Sequence, residues 1–237
     1  MPRNSPSAPS APLALVRELG AFLRRPQVLR PSGLRSTPAW RALAMLLVLH
    51  VAVMLLAVLP AISLWQKQFG LPMPDAFGKL PRGWLLPITV LVAPVLEEAI
   101  FRGWQSGRPR ALWLLACFAA FVVLVTTARA VAPLTLLGML VALAAAAIGG
   151  WLWLRKRPPL RLFAAVYPAI FWLVALGFAA VHLMNYPSWS LASLPMVLPQ
   201  LWAAMVLGFT RQRLGLPAAM LQHAGANAAA MALSMVG

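Results

Sequence analysis

Acidic side chains are nearly missing from this chain. Among 237 residues only four are Asp or Glu, against 20 Lys or Arg, and the formal net charge is +16. Cysteine occurs once, at Cys117, and histidine three times, at His50, His182 and His223. A single thiol excludes an intrachain disulfide and a cysteine-rich zinc site. Inside an apolar run it reads as a small packed residue. Charge of either sign is scarce: 10% of the residues are charged and 62% are hydrophobic. A soluble domain carries about 45–50% apolar and about 25% charged residues. So apolar a chain is not disordered either. What remains is one polytopic membrane protein. The basic excess does not read as a nucleic-acid surface. Most cations fall between long apolar runs, where topology signals lie, and anionic membrane lipid is the expected electrostatic partner.

Residues 1–39 read as a Pro-, Ser- and Arg-rich tail, and residues 40–237 as a transmembrane domain. No compact apolar stretch with a small-residue cleavage site follows Met1, so no cleaved leader is expected. Leu13–Arg25 has the pattern of a short basic amphipathic helix. Two placements stand for it, on the membrane surface or as a loosely ordered arm. Seven apolar runs then lie near 40–65, 83–105, 111–128, 130–154, 162–185, 191–209 and 214–236. Each approaches the roughly 20 residues that cross a bilayer core. The fold expected is all-α, a membrane helix bundle of about seven spans. With the N-terminus in the cytoplasm, sixteen cations fall on the cytoplasmic side and four on the other. That split obeys the positive-inside rule and predicts a multi-pass cell-membrane protein with a cytoplasmic N-terminus. Trp65, Trp84, Trp104, Trp151, Trp153 and Trp189 fall near span ends, as an aromatic belt would place them.

Ionisable residues inside membrane spans are costly and mark candidate sites. Three clusters qualify. In Pro94–Gly103, Glu97 and Glu98 are adjacent, so they point about 100° apart on a helix. Glu98 and Arg102 are i,i+4 and pair along one face, which leaves Glu97 free to face a cavity. A carboxyl in a low-dielectric site holds its proton more tightly, which suits acid–base work. In the second cluster Phe178 and His182 stack at i,i+4. In the third, His223 and Asn227 share a face among Ala and Gly, which lets backbones approach closely. Each cluster also has a plainer reading, as a charge pair at a span end, a histidine bonded to backbone, or an interhelical hydrogen bond. His50 has no polar neighbour in helical register and reads as structural.

In order, these clusters read EEAIFR (97–102), FAAVH (178–182) and HAGAN (223–227). Together they resemble the signature EExxxR, FxxxH, HxxxN of the CPBP family of intramembrane proteases. That family includes type II CAAX prenyl endopeptidases and bacteriocin-processing or immunity (Abi-like) proteins. The matching region covers about residues 94–230. The resemblance implies that Glu97 is the catalytic base and that His182 helps it activate a water. His223 and Asn227 would stabilise the oxyanion, with Glu98, Arg102 and Phe178 in support. The chemistry agrees, since peptide hydrolysis needs an activated water, a proton for the leaving amine and donors at the developing oxyanion. Glu97 and His182 stand 85 residues apart, with the runs near 111–128 and 130–154 between them. His182 lies at the depth of Glu97 if its span effectively begins near Pro168, with an interfacial segment at 161–167 before it.

The function expected is hydrolysis of a peptide bond in a membrane-associated or lipidated substrate. No cofactor is expected. Two histidines and a glutamate also suit zinc with one position left for water, but such a site would leave little to act as base. The partners expected are membrane lipid and a peptide or lipidated protein, not nucleic acid. Two other classes stand beside this one. One is a non-catalytic immunity or scaffold protein in which the same polar residues only hold helices together. The other is a small proton-linked carrier, against which the lack of an internal repeat counts.

Overall fold

A computed structural model describes residues 3–4, 12–75, 81–188 and 190–234. Lys79, Trp189, most of residues 1–11 and the last residues of the final run lie outside the described residues. The chain is an all-α bundle, 82% helical, with eight continuous helices among the described residues. In chain order they are α1 (Pro12–Arg24), α2 (Thr37–Val53) running on into α3 (Leu59–Phe69), and α4 (Arg82–Pro87) running on into α5 (Ala93–Arg102). Next come α6 (Pro109–Thr127), α7 (Pro133–Leu154), α8 (Arg161–Val181), α9 (Leu198–Arg213) and α10 (Leu216–Ser234). A two-residue parallel pairing of Arg3–Asn4 with Leu29–Arg30 is the only sheet among the described residues.

Six helices are long and apolar enough to cross a membrane: Thr37–Phe69, Gly83–Arg102, Pro109–Thr127, Pro133–Leu154, Arg161–Asn185 and Leu191–Arg213. The protein is a multi-pass membrane protein. The expected seventh run is helical, as α10, but is not among the six. Gln222, His223 and Asn227 lower its hydropathy, and it packs inside the bundle against α2, α5 and α9.

The hairpin α6–α7 pairs chiefly with itself, and of its two helices only Cys117 is buried. Exposed Leu, Val, Phe and Trp side chains of that extent belong in lipid. Inside the hairpin the helices come close. Trp113 Nε1 donates to Ala146 O (3.0 Å), and a Cβ at Gly150 would lie 2.2 Å from the same nitrogen. The 84 residues between Glu97 and His182 are thus filled largely by an excursion that leaves α5 and α8 facing each other.

Two prolines shape the inner helices. A π-helical turn, Met54–Val58, precedes Pro60, and another, Ile88–Val92, precedes Pro94. Proline lacks an N–H and its ring crowds the carbonyl four residues back, so the turn widens. In the second turn Ala93 N–H bonds to Ile88 O. The next carbonyl in that register, Thr89 O, would take the N–H of residue 94, which Pro94 does not have.

The helix α5 ends at Arg102, well inside the bundle. Residues 103–108 continue as turns alongside α8, where Leu160 N–H bonds to Gly107 O (2.9 Å). Irregular backbone survives at membrane depth only where protein satisfies its polar groups. Here each freed carbonyl has a donor. Trp104 Nε1 bonds to Ile100 O, Gln105 Nε2 to Phe101 O, Arg211 Nε to Arg102 O, and Gln212 Nε2 to Gln105 O, all at 3.0–3.1 Å. The Arg211 guanidinium at a helix C-terminus also opposes the negative end of the dipole. Gly107 has φ +64°, and a Cβ there would lie 2.4 Å from the Phe163 ring. Only glycine fits both demands.

This early stop brings the motifs to one level and corrects an expectation. The helix α8 runs unbroken from Arg161 through Pro168 to Val181, so 161–167 is not a separate segment. Register comes instead from α5, whose Phe101 meets Phe178 (ring centroids 5.1 Å) while Gln105, farther along the turns, bonds Tyr167 (2.9 Å). Trp104 likewise packs inward, against Phe163, rather than joining a belt. Cys117 is buried, as its apolar surroundings suggest.

The tail helix α1 is docked. Its face Leu15, Leu19 and Phe22 is buried, and Phe22 stacks on Phe171 and Phe209 of α8 and α9 (5.2 and 5.3 Å). Glu18 accepts a hydrogen bond from Arg213 Nε (2.8 Å), and Leu29 N–H donates to Gln212 Oε1 (3.0 Å). The apolar face that suggested a membrane surface or a loose arm is occupied by the protein's own core.

Candidate functional site

The three motifs meet around Phe178, which is 1% exposed. Its ring lies 4.7 Å from that of His182 and 6.1 Å from that of His223, and the Arg102 guanidinium carbon sits 4.7 Å from its centre. That gathers one cation and two imidazoles around one aromatic ring.

Glu98 is completely buried. Its Oε1 takes a short ion pair from Arg102 Nη1, the i,i+4 pairing expected from spacing, and also accepts from His223 Nδ1 (3.0 Å). Arg102 and His223 therefore share one carboxylate oxygen, and a buried charge is tolerable only when paired in this way. A carboxylate oxygen accepts, so Nδ1 carries the proton and His223 Nε2 is left to face elsewhere. It faces Glu97, whose Oε2 lies 3.8 Å away. That is too long for a direct hydrogen bond. The Glu97 side chain is 29% exposed, and among the described residues Oε2 has no hydrogen-bond partner. The expectation that Glu98 pairs and Glu97 stays free matches this geometry.

His182 ends α8, where a 3₁₀ turn over His182–Asn185 begins. Its Nδ1 donates to Phe178 O (2.7 Å), so its Nε2 is the free nitrogen. It forms no ion pair with Glu97; the imidazole nearest that carboxylate is His223. Asn227 Nδ2 donates to Thr89 O (2.8 Å), the carbonyl that Pro94 leaves without an N–H. One amide hydrogen of Asn227 is thus committed to mending the backbone of the π-helical turn that leads into α5. Gln222, beside His223, is committed at both ends: Oε1 accepts from Thr210 Oγ1 (2.6 Å) and Nε2 donates to Leu46 O (3.3 Å).

Glu97, Phe178, His182, His223 and Asn227 all line one cavity of about 690 Å³. Much of its remaining wall is apolar, including Met54, Leu55, Leu59, Ala203 and Met231. The volume lies in the ordinary range for small-molecule pockets, roughly 300–1,000 Å³. A chamber of this kind admits an apolar chain and sets one carboxylate, Glu97, and three imidazoles, His50, His182 and His223, against it. Among the described residues no three His, Cys, Asp or Glu side chains are gathered as metal ligands would be.

Sequence reasoning missed several participants. His50 lines the same cavity and is buried. The Gln105–Tyr167–Gln212 cluster and Arg211 support α5's end from below. One signal was available: Thr210–Arg213 are four consecutive polar residues closing an apolar run. Comparison of the chain with protein-family models, curated proteins and solved structures finds no match.

Proposed function

We propose that the protein is an intramembrane peptidase of glutamate type, acting on a membrane-associated or lipidated polypeptide. The observation that carries this reading is the shared cavity. Four chemically apt side chains from three helices, Glu97, His182, His223 and Asn227, line one largely apolar chamber. The resemblance of EEAIFR, FAAVH and HAGAN to the CPBP signature supports it from the sequence side.

Glu97 serves as base in this reading. It takes a proton from water, the hydroxide adds to the scissile carbonyl carbon, and the proton passes to the leaving amine as the C–N bond breaks. The geometry favours a larger part for His223 than the resemblance alone implies. Its Nδ1 is held by Glu98, so its Nε2 points at Glu97 and the reacting groups, the arrangement in which a carboxylate orients an imidazole. His182, with Nδ1 held by Phe178 O, offers Nε2 from the opposite wall. Asn227 keeps one N–H for a developing oxyanion, since the other serves Thr89 O. No metal takes part in this scheme. The positive-inside charge split supports an N-terminus in the cytoplasm.

The test is cleavage by purified wild-type protein and Glu97→Gln in detergent or liposomes. Loss of cleavage in a variant with unchanged unfolding is expected. A folded Glu97→Gln that cleaves at the wild-type rate overturns the reading. Treatment with a chelator is expected to leave activity intact, and loss restored by added zinc overturns the metal-free scheme.

A second reading, a non-catalytic immunity or scaffold protein, draws on a specific observation. The Glu98–Arg102–His223 and Asn227–Thr89 bonds tie α5 to α10 without any chemistry. In that case Glu97→Gln keeps both partner binding and biological activity.

A further inference from the structure

The chamber holds one histidine that the peptidase reading leaves unused. His50 lies on α2, outside all three motifs. It is 2% exposed and lines the same cavity as Glu97, His182 and His223. Its Nδ1 has no hydrogen-bond partner among the described residues. A buried imidazole nitrogen without a partner is disfavoured, and Leu or Phe would fill this space without that penalty. Histidines inside membrane spans ordinarily face the bundle interior and serve function.

Its position is firmly held. Trp202 Nε1 donates to His50 O (3.1 Å), and one turn earlier Gln222 Nε2 donates to Leu46 O (3.3 Å). Leu46 and His50 are i,i+4, so both lie on the face of α2 turned to α10. On α10 that contact falls beside His223, and at Gly225 a Cβ would come within 3.0 Å of Leu47 Cδ2. The imidazole is therefore a fixed feature of the chamber wall, close to the reacting groups.

We propose that His50 is a substrate-binding residue whose imidazole hydrogen-bonds a main-chain amide of the polypeptide in the chamber. The proposal rests on the peptidase reading. A neutral imidazole offers one donor and one acceptor. An extended peptide presents an N–H and a C=O at every residue. The match does not depend on the substrate's side chains, so His50 acts on peptides in general rather than on one sequence.

The probe is a pool of quenched fluorescent apolar octapeptides, given to the purified full chain in detergent. His50→Phe keeps the ring's shape and removes the hydrogen bond, and His50→Asn restores a donor and an acceptor. His50→Phe is expected to raise KM about tenfold, the value of one neutral hydrogen bond. Its kcat is expected within about threefold of wild type, as for lost uniform binding, and its Tm no lower. His50→Asn is expected to recover part of the KM. Unchanged KM in His50→Phe, with Glu97→Gln inactive, overturns the role of His50 and leaves the peptidase reading standing. A joint fall in Tm, kcat and apparent affinity in His50→Phe makes it a packing residue and also overturns the role. If Glu97→Gln cleaves like wild type, the peptidase reading fails. His50 is then judged by fluorescence polarisation of the same octapeptides: weaker binding by His50→Phe upholds it, and equal binding overturns it.

Discussion

Asn227 is the residue whose two roles separate most cleanly by mutation. Its side chain donates to Thr89 O at 2.8 Å. That carbonyl lacks a helical donor because Ala93 N–H is taken by Ile88 O and residue 94 is proline. Asn227→Ala leaves the buried carbonyl unpaired, at a cost of about 1–3 kcal/mol. Pro94→Ala supplies the missing N–H one residue along the π register, so the same Asn227→Ala should cost little in that background. The coupling expected from a double-mutant cycle is about 0.6 kcal/mol, the average for hydrogen bonds inside membrane bundles, and at most about 1.7 kcal/mol. The assay is reversible unfolding of the four proteins in mixed micelles, with peptide cleavage measured in parallel. Stability that recovers in the double variant while cleavage stays low identifies a strut that also serves the reaction. Additive effects, with no coupling, refute the account of Thr89 and Pro94 as the reason for the Asn227 bond.

Further outcomes follow from the same contacts. Arg102→Met strands the fully buried Glu98 with only His223 beside it and should destabilise the protein by about 3–5 kcal/mol, whereas Glu98→Leu with Arg102→Leu should cost distinctly less; thermal unfolding of both variants checks this. Gly107→Ala places a Cβ at φ +64° and against the Phe163 ring, and about 2–4 kcal/mol of strain and overpacking should appear as a lowered Tm. Glu18→Ala removes the partner of Arg213 Nε at the tail's dock, which should cost about 1.5–3 kcal/mol. It should also raise proteolytic nicking near α1, read by limited proteolysis, and unchanged nicking counts against a docked tail.

Composition and period determined the class of this protein. Long apolar runs in a chain with four acids leave only a membrane bundle, because no other fold hides so many uncharged side chains. Spacing determined the local chemistry too: Glu98 with Arg102, and Phe178 with His182, are i,i+4 pairs on any helix, and both are made. Spacing did not decide which imidazole meets Glu97, nor that Asn227 is spent partly on Thr89 O. Those follow from where α5 stops and how closely α10 lies against α2 and α5. The stop at Arg102 depends on donors from Arg211 and Gln212, over 100 residues away in the chain. His50 looked isolated because helical register lists neighbours only within one helix. Its companions come from α5, α8, α9 and α10, and only packing, which is non-local, brings them to one wall.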